Sequence, residues 1–374
     1  MGISRRRILH GIGAGTVAAA LPGLGSGRAF SLADAAPAGG PIHLDRNENP
    51  YGPPESAIAA VRESLKNPNR YPDSAALQKK IADRYRVSPE QVVLGCGSTE
   101  ILRAAADAFL ASGTKLVVAT PTCPILASFA KRKGAEVVEV PLTRENIHDL
   151  PAMLARCDNS TGLVYLCNPN NPTGTIVARQ EIDEFLHKLP ANIPVIVDEA
   201  YHEYAAQTAS STSFLEQPAG DERTIVVRTF SKLYGLAALR IGYAVAPKAM
   251  AARMTQFSLP FGENSAGIAA AVAALDDKDF VSATSERNRA DKQRFFNSAD
   301  VRYIRITDSH TNFTLVKLDN PIEKVISHFA ENGVLVGPRF PGLDEFLRVS
   351  IGRPEDTKAF WRVWDMLPHK PVHH

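Results

Sequence analysis

The chain has 374 residues, of which 44% are hydrophobic and 22% are charged, and its formal net charge is +2. This length and composition predict a globular protein with a large core and two domains, and they exclude a disordered or fibrous chain. The nearly balanced charge gives no electrostatic reason to expect nucleic acid as a partner. We therefore expect a small-molecule ligand.

The first forty residues differ in composition from the rest. An arginine cluster, Arg5-Arg6-Arg7, is followed by a small, apolar, glycine-containing stretch over 11–24 and by an Ala/Gly/Pro-rich segment that ends at Gly40. This order resembles a twin-arginine signal peptide and linker over 1–40, with Arg5 and Arg6 as the pair. We therefore expect the export machinery to bind this segment and the protein to be periplasmic. An uncleaved membrane anchor is the alternative, which the short, glycine-broken apolar run disfavours.

The chain has four widely spaced cysteines: Cys96, Cys123, Cys157 and Cys167. No paired Cys/His spacing accompanies them, so we expect no metal site. Cys96 and Cys167 fall at the ends of apolar, strand-like runs, where buried free thiols are common. An oxidising compartment would permit disulfides, and their pairing stays open.

Beyond Pro41, apolar strand-like runs alternate with segments of helical periodicity. The apolar runs predict strands over 91–94, 115–119, 136–140, 162–167, 193–197 and 224–228. Helical spacing predicts helices over 101–110, 125–133 and 178–189, with a turn over 95–100. The alternation indicates an α/β fold with a mainly parallel sheet, assigned here to a large domain over 67–264.

The pattern changes after residue 264. A long, alanine-rich helical run covers about 265–296, and further helices are predicted over 322–332 and 355–367. Strands are predicted over 313–318 and 346–351. These elements indicate a smaller α+β domain formed by 265–374 together with 41–66.

Three turns carry polar groups at predicted strand ends. Ser98 and Thr99 stand where a strand leads into a helix, a place that favours an anion such as phosphate, although a plain helix cap is the common alternative. Asn171 lies in a proline-fixed loop over 168–174 that suits an amide held rigidly against a ligand. Asp198 directly follows a strand, where α/β sheets bind ligands, and Tyr201 follows three residues later.

Lys232 follows the predicted strand over 224–228 in an almost uncharged segment. A desolvated amine loses its proton more easily and can attack an aldehyde. A lone lysine in such a loop is usually a surface residue. Its functional meaning therefore depends on the other motifs.

Together, these motifs resemble the fold-type I pyridoxal-phosphate enzymes of class I/II aminotransferases, and among them the histidinol-phosphate aminotransferase subgroup. The resemblance covers residues 44–352, and the joint order and spacing of its motifs are highly specific. The motifs are Asp45 to Gly52, Tyr71-Pro72-Asp73, Gly95 to Glu100, Asn168 to Gly174, Asp198 to Tyr201, Ser231-Lys232 with Arg240, and Leu347 to Gly352. The family fold has a large cofactor domain with a mainly parallel sheet and a smaller α+β domain.

The resemblance implies a role for each cofactor residue. Lys232 is the catalytic residue, which carries the cofactor as a Schiff base and shuttles the proton of the substrate α-carbon. Asp198 pairs with the pyridine nitrogen, and Asn171 and Tyr201 bond the phenolic oxygen of the ring. The phosphate is held by Ser98, Thr99, Ser231 and Arg240.

The resemblance also implies partners. Tyr71 reaches the cofactor phosphate of the neighbouring subunit, so a homodimer is expected. Arg348 takes the substrate α-carboxylate as a bidentate pair, with Asn47, Tyr51 and Asn312 as its neighbours. An amino donor and a 2-oxo acid acceptor are the expected substrates.

Four positions depart from the family pattern. Cys123 stands where an aromatic residue usually stacks on the pyridine ring, and Gly337 stands where phosphate-specific members usually carry an arginine. Arg339 is displaced from that position by two residues, and Glu263 places an acid where the family has a small apolar or amide residue. These changes, and the expected export, argue against a phosphomonoester substrate.

The sequence thus predicts an exported pyridoxal-phosphate aminotransferase acting on an amino acid or a similar amine. Histidinol-phosphate aminotransferase itself is one alternative, and a decarboxylase or lyase of the same fold is another. A non-catalytic binding protein built on this fold is disfavoured by the complete set of Lys232, Asp198, Tyr201 and Arg348.

Overall fold

The computed structural model describes residues 40–206, 208, 212–216 and 222–368. The arginine pair and apolar stretch of the predicted export signal lie outside the described residues, so the signal stays a prediction. Within the described ranges, none of the helices has the length and apolar character needed to cross a membrane.

The strands of the described ranges form three sheets. They are β1 (Ile42–Leu44), β2 (Val92–Cys96), β3 (Lys115–Thr120), β4 (Glu136–Pro141), β5 (Thr161–Cys167), β6 (Val195–Asp198), β7 (Thr224–Thr229), β8 (Ile241–Val245), β9 (Phe313–Lys317), β10 (Val334–Val336) and β11 (Phe346–Ser350). Seven of them form the largest sheet in the order β2-β8-β7-β6-β5-β3-β4, in which β8 runs antiparallel to both neighbours and the other pairs are parallel. The predicted α/β fold with a mainly parallel sheet is confirmed.

The described ranges also form helices, several of which cover the two faces of this sheet. They are α1 (Glu55–Ser64), α2 (Ala75–Tyr85), α3 (Gly97–Phe109), α4 (Ile125–Arg132), α5 (Leu150–Leu154), α6 (Arg179–Lys188), α7 (His202–Ala205), α8 (Lys248–Thr255), α9 (Ser265–Asp276), α10 (Lys278–Asp300), α11 (Ile322–Glu331) and α12 (Pro354–Trp364). Side chains of a strand point alternately to the two faces, so Val195 and Val197 enter one core and Ile196 enters the other. This two-sided burial explains the continuous apolar runs of the parallel strands.

Two predicted boundaries are wrong. The predicted single helix over 265–296 is two helices, because Asp277 ends α9 and its side chain accepts a hydrogen bond from the backbone N–H of Phe280 at 3.0 Å. The predicted turn over 95–100 already contains the first turn of α3, where Glu100 Oε2 accepts from the backbone N–H of Cys96 at 2.7 Å. Ser98 and Thr99, the residues predicted to bind a phosphate, therefore lie in the first turn of a helix.

The smaller unit is built on two short sheets. Strand β1 pairs with β10 in parallel, and β9 pairs with β11 in antiparallel orientation. Phe329, Phe360 and Trp361 of α11 and α12 form its core together with Leu44 of β1. Helices α1 and α9, by contrast, contribute to the core of the large sheet, and the predicted domain boundaries stay a prediction.

Candidate active site

The candidate active site lies where the parallel strands end. Strands β5, β6 and β7 are in register, so that Asp198 pairs with Cys167 on one side and Val227 on the other. Their carboxyl ends open into a cavity of about 280 Å³. Its lining includes eight of the predicted residues, namely Ser98, Thr99, Asn171, Asp198, Tyr201, Ser231, Lys232 and Arg240.

One end of the cavity is built for an anion. Ser98 and Thr99 lie in the first turn of α3, where backbone N–H groups and the helix dipole favour negative charge. Arg240 Nη1 donates to Ser231 Oγ at 3.2 Å and to the carbonyl of Ala237 at 3.0 Å. Gly97 has φ +71°, and a Cβ there would overlap the guanidinium of Arg240. Gly97 therefore makes the close approach of the cation to the helix possible.

Asp198 is the last residue of β6 and is buried where it lines the cavity. Its Oδ2 accepts from the hydroxyl of Tyr165 at 2.8 Å, and its Oδ1 accepts from the backbone N–H of Ala200 at 3.1 Å. Burial raises the pKa of Asp198 to about 6, and the two hydrogen bonds oppose that rise. A buried carboxylate of this kind is suited to a cationic partner.

Lys232 carries an amine with a perturbed pKa. Its Nζ donates to the backbone carbonyls of Arg46 at 3.0 Å and Asn47 at 3.3 Å. Burial, followed by the charge of Arg348, lowers the pKa of Lys232 to about 8. A substantial fraction of the amine is therefore neutral near physiological pH.

Asn47 connects this amine to the phenol of Tyr201. Its Nδ2 donates to Tyr201 Oη at 3.0 Å, and its backbone N–H donates to Ser350 Oγ at 2.8 Å. Burial raises the pKa of Tyr201, so the phenol stays protonated at neutral pH. Asn312 fixes the same segment, because its Nδ2 donates to the carbonyls of Asn47 at 3.0 Å and Glu48 at 3.1 Å.

Arg348 lies beside the cavity on β11. Its Nη1 donates to Asn171 Oδ1 at 2.7 Å and its Nη2 to the carbonyl of Asp45 at 2.6 Å. The buried Nε has no hydrogen-bond partner among the described residues. A Cβ at Gly337 would lie 2.6 Å from the Arg348 carbonyl oxygen and 3.2 Å from Nε. Any side chain at 337 would therefore displace Arg348.

Five predicted residues are not part of the cavity lining. Asn47, Asn312 and Arg348 are joined to lining residues by hydrogen bonds, whereas Tyr51 and Tyr71 make other contacts. The hydroxyl of Tyr51 donates to Asp291 Oδ2 on α10 at 2.7 Å, and the pKa of Tyr51 rises to about 12 through burial and this carboxylate. Tyr51 therefore lies outside the cavity lining, and its place beside the substrate stays a prediction. Tyr71 is 80% exposed and stacks on Phe261 with ring centroids 4.6 Å apart.

The positions that depart from the family pattern also differ in their placement. Cys123 lines the cavity together with the apolar side chains of Leu102 and Ile125. Glu263 is not part of that lining. Arg339 forms ion pairs with Asp344 at 2.5 Å and Glu323 at 3.5 Å, so it does not supply the cation that is missing at Gly337.

Several lining or supporting residues were not predicted. Arg46 and Glu48 line the cavity, and the motif 45–52 contained a signal for both of them. The sequence predicts for Tyr165 only a place in an apolar strand. The partner of its hydroxyl depends on the pairing of β5 with β6, which the structure shows. Gly97 was counted only as part of the turn.

The lining residues fit pyridoxal phosphate. The cavity has an anion site at α3 and Arg240, a buried carboxylate at Asp198 and an amine at Lys232. These groups match, in order, a phosphate, a basic ring nitrogen and an aldehyde. The phenol of Tyr201 and the amide of Asn171 also line this cavity and match the ring hydroxyl.

The comparisons with known proteins agree on one family. The family model "Aminotransferase class I and II" matches residues 40–362. A histidinol-phosphate aminotransferase of Brevibacillus brevis is 40% identical over 322 residues, which cover 84% of this chain and 87% of the relative. That of Geobacillus thermodenitrificans is 37% identical over 332 residues, covering 88% and 89%. The crystal structure of histidinol-phosphate aminotransferase from Sinorhizobium meliloti with pyridoxal-5'-phosphate has a TM-score of 0.81 and 26% identity, covering 87% of this chain and 90% of that one.

Proposed function

Since this chain belongs to the class I and II aminotransferases and is a pyridoxal-phosphate-dependent aminotransferase, we propose that its donor is an unphosphorylated amino acid or amino-acid-like amine. The acceptor is a 2-oxo acid. In this proposal, the residues on the side of the cavity that faces Arg348 determine which donors the enzyme accepts.

The observation that carries this proposal is the contact between Gly337 and Arg348. Arg348 has an uncommitted Nε–H, and the nearby position 337 has no side chain and no room for one. Arg339 is held by Asp344 and Glu323. One guanidinium with no second cation at position 337 suits a carboxylate of charge −1 better than a phosphomonoester of charge near −2.

In this proposal the cofactor is held along the cavity wall. Ser98, Thr99, Ser231 and Arg240 hold its phosphate, and Asp198 holds its ring nitrogen. Asn171 and Tyr201 donate to its ring oxygen. When bound, the cofactor supplies an electron sink for the substrate bond that breaks at the α-carbon.

Lys232 moves the proton. Because the pKa of Lys232 is lowered to about 8, its Nζ can accept a proton from the substrate α-carbon near neutral pH. The same Nζ would pass this proton on to the bound cofactor within the same half-reaction, so that no net proton stays on Lys232. The carbonyls of Arg46 and Asn47 orient Nζ in the free enzyme.

Histidinol-phosphate aminotransferase is the second candidate. Relatives that cover most of this chain carry that name. Arg46 lines the cavity and is largely exposed, so it offers a second cation at the mouth for a phosphate. This candidate requires Arg46 to replace the arginine that Gly337 lacks.

We further propose a homodimer in which Tyr71 contacts the cofactor phosphate of the partner subunit. The exposed, stacked pair of Tyr71 and Phe261 supports a surface that a second copy covers. Light scattering of the purified protein should give twice the monomer mass. A monomer at the concentration of the activity assay would contradict this part of the proposal.

The proposed location is the periplasm, reached through a twin-arginine signal over 1–40. The pair Arg5-Arg6 supports it. Replacing both arginines by lysine should retain the protein in the cytoplasmic fraction of a bacterial host. An unchanged distribution of the Lys-Lys variant would contradict export by this route.

A donor screen tests the proposed reaction. Each amine is mixed with the cofactor-loaded enzyme without acceptor, and loss of the visible absorbance of the aldehyde form is followed in a single turnover. The proposal expects an unphosphorylated donor to react and to leave as its keto acid. A 2-oxo acid added afterwards should take up the amino group and restore the absorbance of the aldehyde form. Release of carbon dioxide in place of the keto acid would contradict it.

A further inference from the structure

Tyr165 is a buried phenol to which the reaction as proposed assigns no role. It lies on β5, and its side chain is completely enclosed. The pairing of β5 with β6 brings its hydroxyl to Asp198 Oδ2 at 2.8 Å. The thiols of Cys123 and Cys167 also lie near this hydroxyl, and its donation goes to the Asp198 carboxylate, the stronger acceptor.

We propose that Tyr165 is a positioning residue that acts through Asp198. Its hydroxyl holds the Asp198 carboxylate in one orientation, in which the carboxylate would meet the cofactor ring nitrogen, and it makes the carboxylate a weaker base. The proton shared between Asp198 and the ring nitrogen then stays on the nitrogen. This inference rests on the proposed pairing of Asp198 with that nitrogen, and it does not depend on the substrate.

The hydrogen bonds of Asp198 support this role. Oδ1 accepts from the backbone N–H of Ala200, and Oδ2 accepts from Tyr165. Each oxygen thus has one protein donor and keeps further acceptor capacity for a ligand. The Ala200 contact is a backbone hydrogen bond, which does not depend on the side chain at position 200. Tyr165 is therefore the side chain that adjusts the basicity of the Asp198 carboxylate.

The surroundings of Asp198 make this donor important. Burial favours the protonated carboxyl, and the Tyr165 bond opposes that effect. The titratable groups that face Asp198 are Cys123, Tyr165, Cys167, Glu199 and Lys232. The two thiols are weak donors and the pKa of each is raised by burial, so they do not replace the phenol.

The first test compares Tyr165→Phe with the wild-type protein, both loaded with cofactor labelled with ¹⁵N in the ring. We expect the ¹⁵N resonance of the variant to move toward the value of an unprotonated pyridine. We also expect the dissociation constant of the cofactor from the apoprotein to rise about tenfold to a hundredfold, as for the loss of a hydrogen bond to a charged group. An unchanged resonance and an affinity within about twofold would overturn the proposal.

Tyr85→Phe is the matched control. The Tyr85 hydroxyl lies 2.9 Å from that of Tyr243, so this variant also removes a phenol hydrogen bond but leaves the Asp198 contacts intact. It should leave the ¹⁵N resonance and the cofactor affinity unchanged. An equal effect of both variants would show a general loss of packing and would overturn the proposal.

A double-mutant cycle separates positioning from folding. In an Asp198→Asn background, Tyr165→Phe should have little further effect on cofactor affinity, because the carboxylate through which Tyr165 acts is absent. A damaged fold would lower the affinity by the same factor in both backgrounds, which would overturn the proposal. If the donor screen failed while these results held, the reaction assignment alone would be wrong.

Discussion

The cofactor side and the substrate side of the cavity are built from different parts of the chain. On the cofactor side, Asp198, Lys232 and Ser98 sit at or just beyond the ends of strands in one sheet, so the topology of that sheet places them. On the substrate side, Arg348 comes from the smaller unit, and it is positioned by loop groups at Asn171 and Asp45. The first side is therefore fixed by sheet geometry, whereas the second depends on contacts between distant segments.

This difference predicts that substitutions on the cofactor side remove chemistry and that those on the substrate side change selectivity. The largest effect is expected for Lys232→Ala, which removes the proton-transfer group. We expect kcat to fall by a factor of at least about 10² to 10⁴, the usual contribution of a general acid–base group. The measurement is single-turnover transamination with a reactive donor, and a variant that retained wild-type kcat would exclude Lys232 from proton transfer.

Arg348→Lys tests the substrate side at its strongest point. A lysine keeps the charge but loses the planar pair of donors, so we expect kcat/KM for a carboxylate donor to fall about tenfold to a hundredfold, mainly through KM. Cofactor affinity should change little. A fall in kcat alone, with KM unchanged, would mean that Arg348 does not bind the substrate ground state.

The pH dependence of cofactor binding tests whether Arg348, on the substrate side, lowers the pKa of Lys232, on the cofactor side. Lys232 must be neutral to react with an aldehyde, and its pKa is lowered to about 8, so association by the apoprotein should rise with pH and level off above about 8. Arg348→Met removes a positive neighbour and should move the midpoint upward, toward the ordinary lysine pKa of 10.5. An identical midpoint in both proteins would show that Arg348 does not act on the amine.

The smallest effect is expected for Glu263→Gln. Glu263 lies outside the cavity lining, so kcat/KM should change by no more than about twofold, as for a surface position. Arg339→Gln is the matched control, because Arg339 is held in ion pairs with Asp344 and Glu323. A change of donor preference in the Glu263 variant alone would show that this acid reaches the substrate.

The same division explains what the sequence could predict. The strand ends and motifs placed eight of the predicted residues around one cavity, because local pattern and sheet topology determine them together. The hydrogen bond of the Tyr51 hydroxyl with Asp291 could not be predicted from the sequence, because its partner lies 240 residues along the chain. The contacts of Tyr165 with Asp198 and of Gly337 with Arg348 depend on strand register, which periodicity alone does not fix.

The most direct test of the central claim compares histidinol with histidinol phosphate in single-turnover reactions, beside a panel of unphosphorylated amino acids. With no cation at position 337, the phosphate should raise the rate by less than about tenfold, a margin of about 1.4 kcal/mol. At least one unphosphorylated amino acid of the panel should react faster than both compounds. The contradicting result is a rate with histidinol phosphate that is at least about a hundredfold higher than the rate with histidinol and with every other donor on the panel. That result would assign the second candidate function to this enzyme.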